Sequence, residues 1–126
     1  MPAKLILIIE DDLRIAALVA EVLREAGYAA HVVPDLGNAR TFSVEGLQPR
    51  AIISDLVVAD AGDPALLAKA IENIFPGVPL ALMTGVPPNR RAQLGVTHHR
   101  VLEKPFELSA LLQTVTDMAG PAEETS

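Results

Sequence analysis

Leu5-Ile-Leu-Ile-Ile9 is an unbroken, mostly branched apolar run, the pattern of a strand buried on both faces. The period changes directly after it. Ile15, Leu18, Val19, Val22 and Leu23 recur at helical spacing, Asp12 is placed to cap that helix, and Gly27 stands where a left-handed residue would end it. The alternation then repeats. Ala30–Val33 predicts a second strand, and Asp35 to about Gly46 a weak helix with Leu36, Ala39 and Phe42 inward. Ala51–Ile53 predicts a third strand leading into Ser54-Asp55. Asp63-Pro64 reads as a cap followed by proline at the first helical position, ahead of a stripe of Leu67, Ala70, Ile71 and Ile74. Leu80–Met83 is a fourth strand, Asn89–Leu94 a short helical stretch behind Pro87-Pro88, and Arg100–Glu103 a fifth strand. A last helix begins near Glu107 with Leu108, Leu111, Leu112 and Val115 on one face, and Gly120-Pro121 ends it.

Five strand–helix units in alternation predict a doubly wound α/β domain: a five-stranded parallel sheet, helices on both faces, strand order 2-1-3-4-5. Residues 1–120 form that single domain and 121–126 a polar tail. The length of 126 residues suits one domain, and 50% hydrophobic residues are enough for a core. With no cysteine there is no disulfide, thiolate metal site or cysteine nucleophile. The net charge of -6 opposes direct nucleic-acid binding. The apolar run at Leu5–Ile9 is too short for a signal peptide or a membrane span and ends in acids, so a soluble, cytoplasmic protein is expected.

The polar residues at strand ends carry the chemistry. Glu10, Asp11 and Asp12 follow the first strand, Asp55 the third, Thr84 the fourth and Lys104 the fifth. Carboxyl ends of strands are where open α/β sheets bind ligands, and the order 2-1-3-4-5 makes strands one and three neighbours at the switch point. Converging carboxylates repel one another and call for a divalent cation; oxygen-only donors favour Mg²⁺. There is no glycine-rich phosphate loop. Carboxylates, a hard cation, a hydroxyl and a lysine suit phosphoryl transfer onto a carboxylate nucleophile.

Glu10-Asp11-Asp12, the apolar run into Asp55, Met83-Thr84-Gly85 and Lys104-Pro105-Phe106 together resemble the receiver domain of two-component response regulators, over nearly the whole chain. The resemblance implies a flavodoxin-like topology and the role of a single-domain response regulator. Asp55 is the phosphoacceptor it implies. Asp11 and Asp12 are the implied Mg²⁺-holding pair, with Asp55 and the backbone carbonyl of Val57 completing the protein ligands and Glu10 behind them. Thr84 and Lys104 are implied to bind the phosphoryl group, and the Lys104-Pro105 peptide is commonly cis in that family. The implied donor is a histidine kinase or a histidine phosphotransfer protein. Output would pass by protein–protein contact or phosphorelay to a further protein, with homodimerisation left open and no membrane insertion. Such a protein regulates rather than acting as an enzyme on a diffusible substrate.

Three positions depart from the family pattern. Val101 stands where an aromatic switch usually couples to the threonine. Val57 and Val86 are apolar where the family tunes dephosphorylation, and the fourth helix is short. These departures motivate an alternative, a pseudo-receiver acting as a phosphorylation-independent interaction module. An α/β hydrolase-type phosphatase with an aspartyl nucleophile is opposed by Val57, where a second acid would stand. The remaining polar residues take simpler readings: His98-His99 a surface loop, His31 structural or exposed, Arg90-Arg91 a solvated face, Asp60 and Asp63 loop and cap residues.

Overall fold

The computed structural model describes residues 3–91, 93 and 99–122. Its elements run β1 (Leu5–Ile9), α1 (Leu13–Glu25), β2 (Ala29–Val33), α2 (Leu36–Val44), β3 (Ala51–Asp55), α3 (Pro64–Ile74), β4 (Leu80–Thr84), α4 (Pro88–Arg91), β5 (Arg100–Glu103) and α5 (Leu108–Ala119). The five strands form one sheet in the order β2-β1-β3-β4-β5, every pair parallel. This is the doubly wound α/β architecture expected from the alternation of patterns.

Strand alternation divides the core in two. Leu7 and Ile9 point to one face of β1 and join Ile52, Leu36, Phe42, Leu67, Ile71 and Phe75 under α2 and α3. Ile6 and Ile8 point to the other and join Ile53, Val19, Leu23, Leu111 and Val115 under α1 and α5. Ile6 to Ile9 are all fully buried, as a strand covered on both faces requires.

The helix boundaries follow local chemistry. Asp12 caps α1, accepting from the Arg14 and Ile15 amides at 3.0 and 3.3 Å. Beyond that helix Gly27 takes φ +101°, a backbone conformation that side chains disfavour. Asp63 caps α3 with Pro64 at its first turn, accepting from the Ala65 amide at 2.9 Å.

Two expected inner positions turn outward. Ala16, Val19, Ala20 and Leu23 are the buried residues of α1, whereas Leu18 is 50% exposed. The small alanines let the helix lie close to the sheet, which rotates the larger Leu18 to the rim. Leu108 at the start of α5 is likewise exposed, and Leu111 and Val115 are the buried residues there. Leu18 and Leu108 line a shallow apolar groove with Ile15, Val19 and Phe106. Helix α4 begins one residue before the Asn89–Leu94 expectation; Leu94 and His98, like Glu123 and Glu124 in the expected tail, lie outside the described residues. Among the described residues no helix is long and apolar enough to cross a membrane.

Candidate functional site

The strand register aligns the carboxyl edge of the sheet. Ile9 pairs with Val33 and Ser54, Asp55 with Met83, and Thr84 with Glu103. The residues at or just past those positions are Glu10, Asp55, Thr84 and Lys104, so side chains far apart in sequence meet along one row.

Glu10 is 1% exposed, an unusual place for a carboxylate. Its Oε1 accepts from the Asp12 amide at 3.1 Å, while Oε2 is buried without a hydrogen bond among the described residues, 3.7 Å from Lys104 Nζ. Burial pushes the Glu10 carboxyl above its ordinary range; the Asp12 amide opposes the rise and the negative charge of Asp55 adds to it. Lys104 Nζ donates to Asp55 Oδ1 at 3.1 Å. Its backbone amide donates to the Thr84 carbonyl at 2.7 Å, which fixes the lysine beside β4. The Lys104-Pro105 peptide is cis. Thr84 is buried, and its Oγ1 accepts from the Val86 amide at 2.9 Å, leaving the hydroxyl proton for donation elsewhere.

Glu10, Asp11 and Asp55 each present an oxygen within 4.8 Å of the others'. Asp12 is not part of this group; its Oδ1 accepts both amide bonds of the α1 cap. The acids that gather with Asp55 are Glu10 and Asp11, where the expectation named Asp11 and Asp12 with Glu10 behind them. The shift has a local cause, since the first helical turn claims the last acid of the three. Val57 is 66% exposed on the loop that follows Asp55.

Three carboxylates against one ammonium leave an excess of negative charge, and the buried Oε2 of Glu10 has no hydrogen-bond donor among the described residues. A hard divalent cation answers both, and an all-oxygen donor set suits Mg²⁺. The residues present fit that ion.

Two contributors were silent in the sequence. Asp60, read as a loop residue, accepts from the Leu36 and Gly37 amides at 3.0 Å each and so caps α2 across the molecule. Arg91, read as a solvated face, donates from Nε to the Val86 carbonyl at 3.2 Å and places Nη2 3.5 Å from Glu103 Oε2. No local signal marks either, because each partner depends on the tertiary fold.

No family model matches the chain. It is 33% identical over 110 residues to a response regulator receiver protein of Anaeromyxobacter sp. (strain Fw109-5), an alignment covering 85% of this chain and 42% of that protein. The chain thus spans less than half of that curated relative. It superimposes with a TM-score of 0.77 on a putative response regulator from Chloroflexus aurantiacus J-10-fl, at 27% identity over 94% of this chain and 98% of the other. The receiver domain of the sensor histidine kinase PA1611 from Pseudomonas aeruginosa PAO1, solved with a magnesium ion coordinated in its active site cleft, matches in fold with a TM-score of 0.74 at 22% identity, covering 93% of this chain and 98% of that one. Sequence relationship, sheet order and the row of acids closed by a lysine agree, and the chain belongs to the receiver-domain family of two-component response regulators.

Proposed function

We propose that this receiver takes a phosphoryl group onto Asp55 from a phosphohistidine of a histidine kinase or a histidine phosphotransfer protein, with Mg²⁺ bound. The observation that carries this reading is the gathering of the Asp55 carboxylate with Glu10 and Asp11, together with its ion pair to the Lys104 ammonium. Residues 1–120 act as one receiver unit, with Ala122 of the expected tail packed back against its core.

Glu10, Asp11, Asp55 and the Val57 carbonyl are the groups that would hold the ion, Asp12 serving as the cap of α1. The ion supplies charge neutralisation of the phosphoryl oxygens and of the crowded carboxylates. An Asp55 oxygen attacks phosphorus, the P–O bond forms as the P–N bond breaks, and the electron pair leaves on the imidazole nitrogen. Lys104, already 3.1 Å from Asp55, balances charge on the transferred group, and the Thr84 hydroxyl donates its free proton to a phosphoryl oxygen. The partners are cytoplasmic, which places the domain there. Output passes by contact with another protein or by a further phosphotransfer.

Val101 and the four-residue α4 favour a second reading, an interaction module that phosphorylation does not control. Intact-mass measurement after incubation with acetyl phosphate and Mg²⁺ separates the two. One phosphoryl group should be gained, and lost in Asp55→Asn or without Mg²⁺; no gain from acetyl phosphate or from any phosphohistidine donor would favour the interaction module.

A further inference from the structure

Thr84, Val86, Arg91 and Glu103 form a closed ring of contacts. The Val86 amide donates to Thr84 Oγ1 at 2.9 Å, and the Val86 carbonyl accepts from Arg91 Nε at 3.2 Å. Arg91 Nη2 lies 3.5 Å from Glu103 Oε2, and Glu103 is the residue that β5 sets opposite Thr84 in the sheet. The arginine side chain is 17% exposed, far from a solvated surface cation, although Glu103 is 55% exposed. Its Nη2 is buried without a hydrogen bond among the described residues, so it is held in place by Nε and by charge.

The Val86 side chain packs against the core under α2 and α3, and Arg91 adds a hold on the backbone of the same turn. Gly85 has open space around its α-carbon and no side chain to pack. No aromatic ring stands at Val101 to brace the threonine from β5. Where Val86 sits decides where the Thr84 hydroxyl points, because its amide occupies an acceptor lone pair of that oxygen and leaves donation as the remaining role.

We propose that Arg91 is a positioning residue for the Thr84 hydroxyl, clamping the turn of residues 84–88 so that this hydroxyl is aimed at a phosphoryl group on Asp55. The proposal rests on the phosphoacceptor reading of Asp55. The exposed ion pair with Glu103 adds little energy itself; its part is to keep the guanidinium fork in register while Nε holds the Val86 carbonyl. The work is done by preorganisation, so the effect of Arg91 exists only through Thr84.

A double-mutant cycle tests this on the full chain with Mg²⁺ and beryllofluoride, an unreactive stand-in for the phosphoryl group, followed by the Leu56 amide resonance. Arg91→Ala should weaken beryllofluoride binding about five-fold, the scale of one positioned hydrogen bond. In a Thr84→Val background the same substitution should change nothing. Arg91→Lys, which keeps the charge beside Glu103 but has no Nε–H, should bind as weakly as Arg91→Ala. Equal losses with and without the threonine hydroxyl, unchanged binding in Arg91→Ala, or full affinity in Arg91→Lys would each overturn the proposal. If beryllofluoride fails to move the Leu56 resonance of the unsubstituted chain, or still moves it in Asp55→Asn, the phosphoacceptor reading itself falls and takes the proposal with it.

Discussion

Asp60 shows how a single side chain binds distant parts of the molecule. It stands on the loop that leaves Asp55, yet its carboxylate accepts from two amides at the start of α2. The Leu36 amide above all holds this carboxyl below the ordinary value of 3.8, against the opposing cost of burial and with a lesser contribution from the Gly37 amide. A depressed folded value means stability present above pH 3.8 and lost as pH falls through the lower folded value. Asp60→Ala should therefore cost about 0.5–1 kcal/mol at neutral pH, as for an exposed cap. Urea titrations should show the gap to the parent chain closing below pH 3.8. Val57 and Val86 carry a second prediction. Neither can orient an attacking water, so phosphorylated Asp55 should be long-lived. Val57→Asn with Val86→Glu should shorten its half-life about ten-fold, less than an ideally placed general base achieves, as read by the decay of the phosphorylated mass. At this scale the placement of Asp55, Thr84 and Lys104 on one edge was legible because each ends or directly follows an apolar strand. Asp60 and Arg91 were not, since their partners lie on other elements and the sequence holds no trace of that proximity.

Helix α1 assigns the acids that precede it. Its first turn leaves amides without helical partners, and Asp12 satisfies two of them. Asp12→Ala should destabilise the fold by about 1 kcal/mol while Mg²⁺ affinity, followed by amide shifts, stays near that of the parent. Asp11→Asn should do the reverse, weakening Mg²⁺ strongly with little change in stability measured in EDTA. Equal effects from the two would return Asp12 to the metal. Capping and metal binding compete for one short acidic run, and the sequence alone does not rank them. The apolar stripe of α1 was legible in period but not in phase, because Ala16 and Ala20 count little in a hydrophobic pattern yet decide which side touches the sheet. In α3, where Leu67 and Ile71 are both large and buried, pattern and structure coincide.

The molecule as a whole buries an apolar core under both faces of its sheet and gathers three acids at one edge. Phe75 is 2% exposed, packed edge-on to Phe42 at 6.3 Å between ring centres. Phe75→Ala should cost about 3–5 kcal/mol in denaturant unfolding, with the acidic edge untouched. That edge instead responds to ions. If Glu10, Asp11 and Asp55 hold Mg²⁺ only when folded, about ten times the dissociation constant should add roughly 1.4 kcal/mol. Thermal unfolding should then rise by roughly 4–6 °C for a domain of this size, and EDTA should reverse the gain. The sheet order was legible because alternating units admit few topologies. One consequence of that order concerns the chain while it is being made. All three clustered carboxylates lie within the first 55 residues, whereas Lys104 arrives 49 positions after Asp55. At a ribosomal pace of about 5–20 residues per second, the acids emerge roughly 2–10 s ahead of the ammonium that will neutralise them. Throughout that interval the acids lack the one ammonium that will pair with Asp55, and dissolved cations such as magnesium are free to stand in its place.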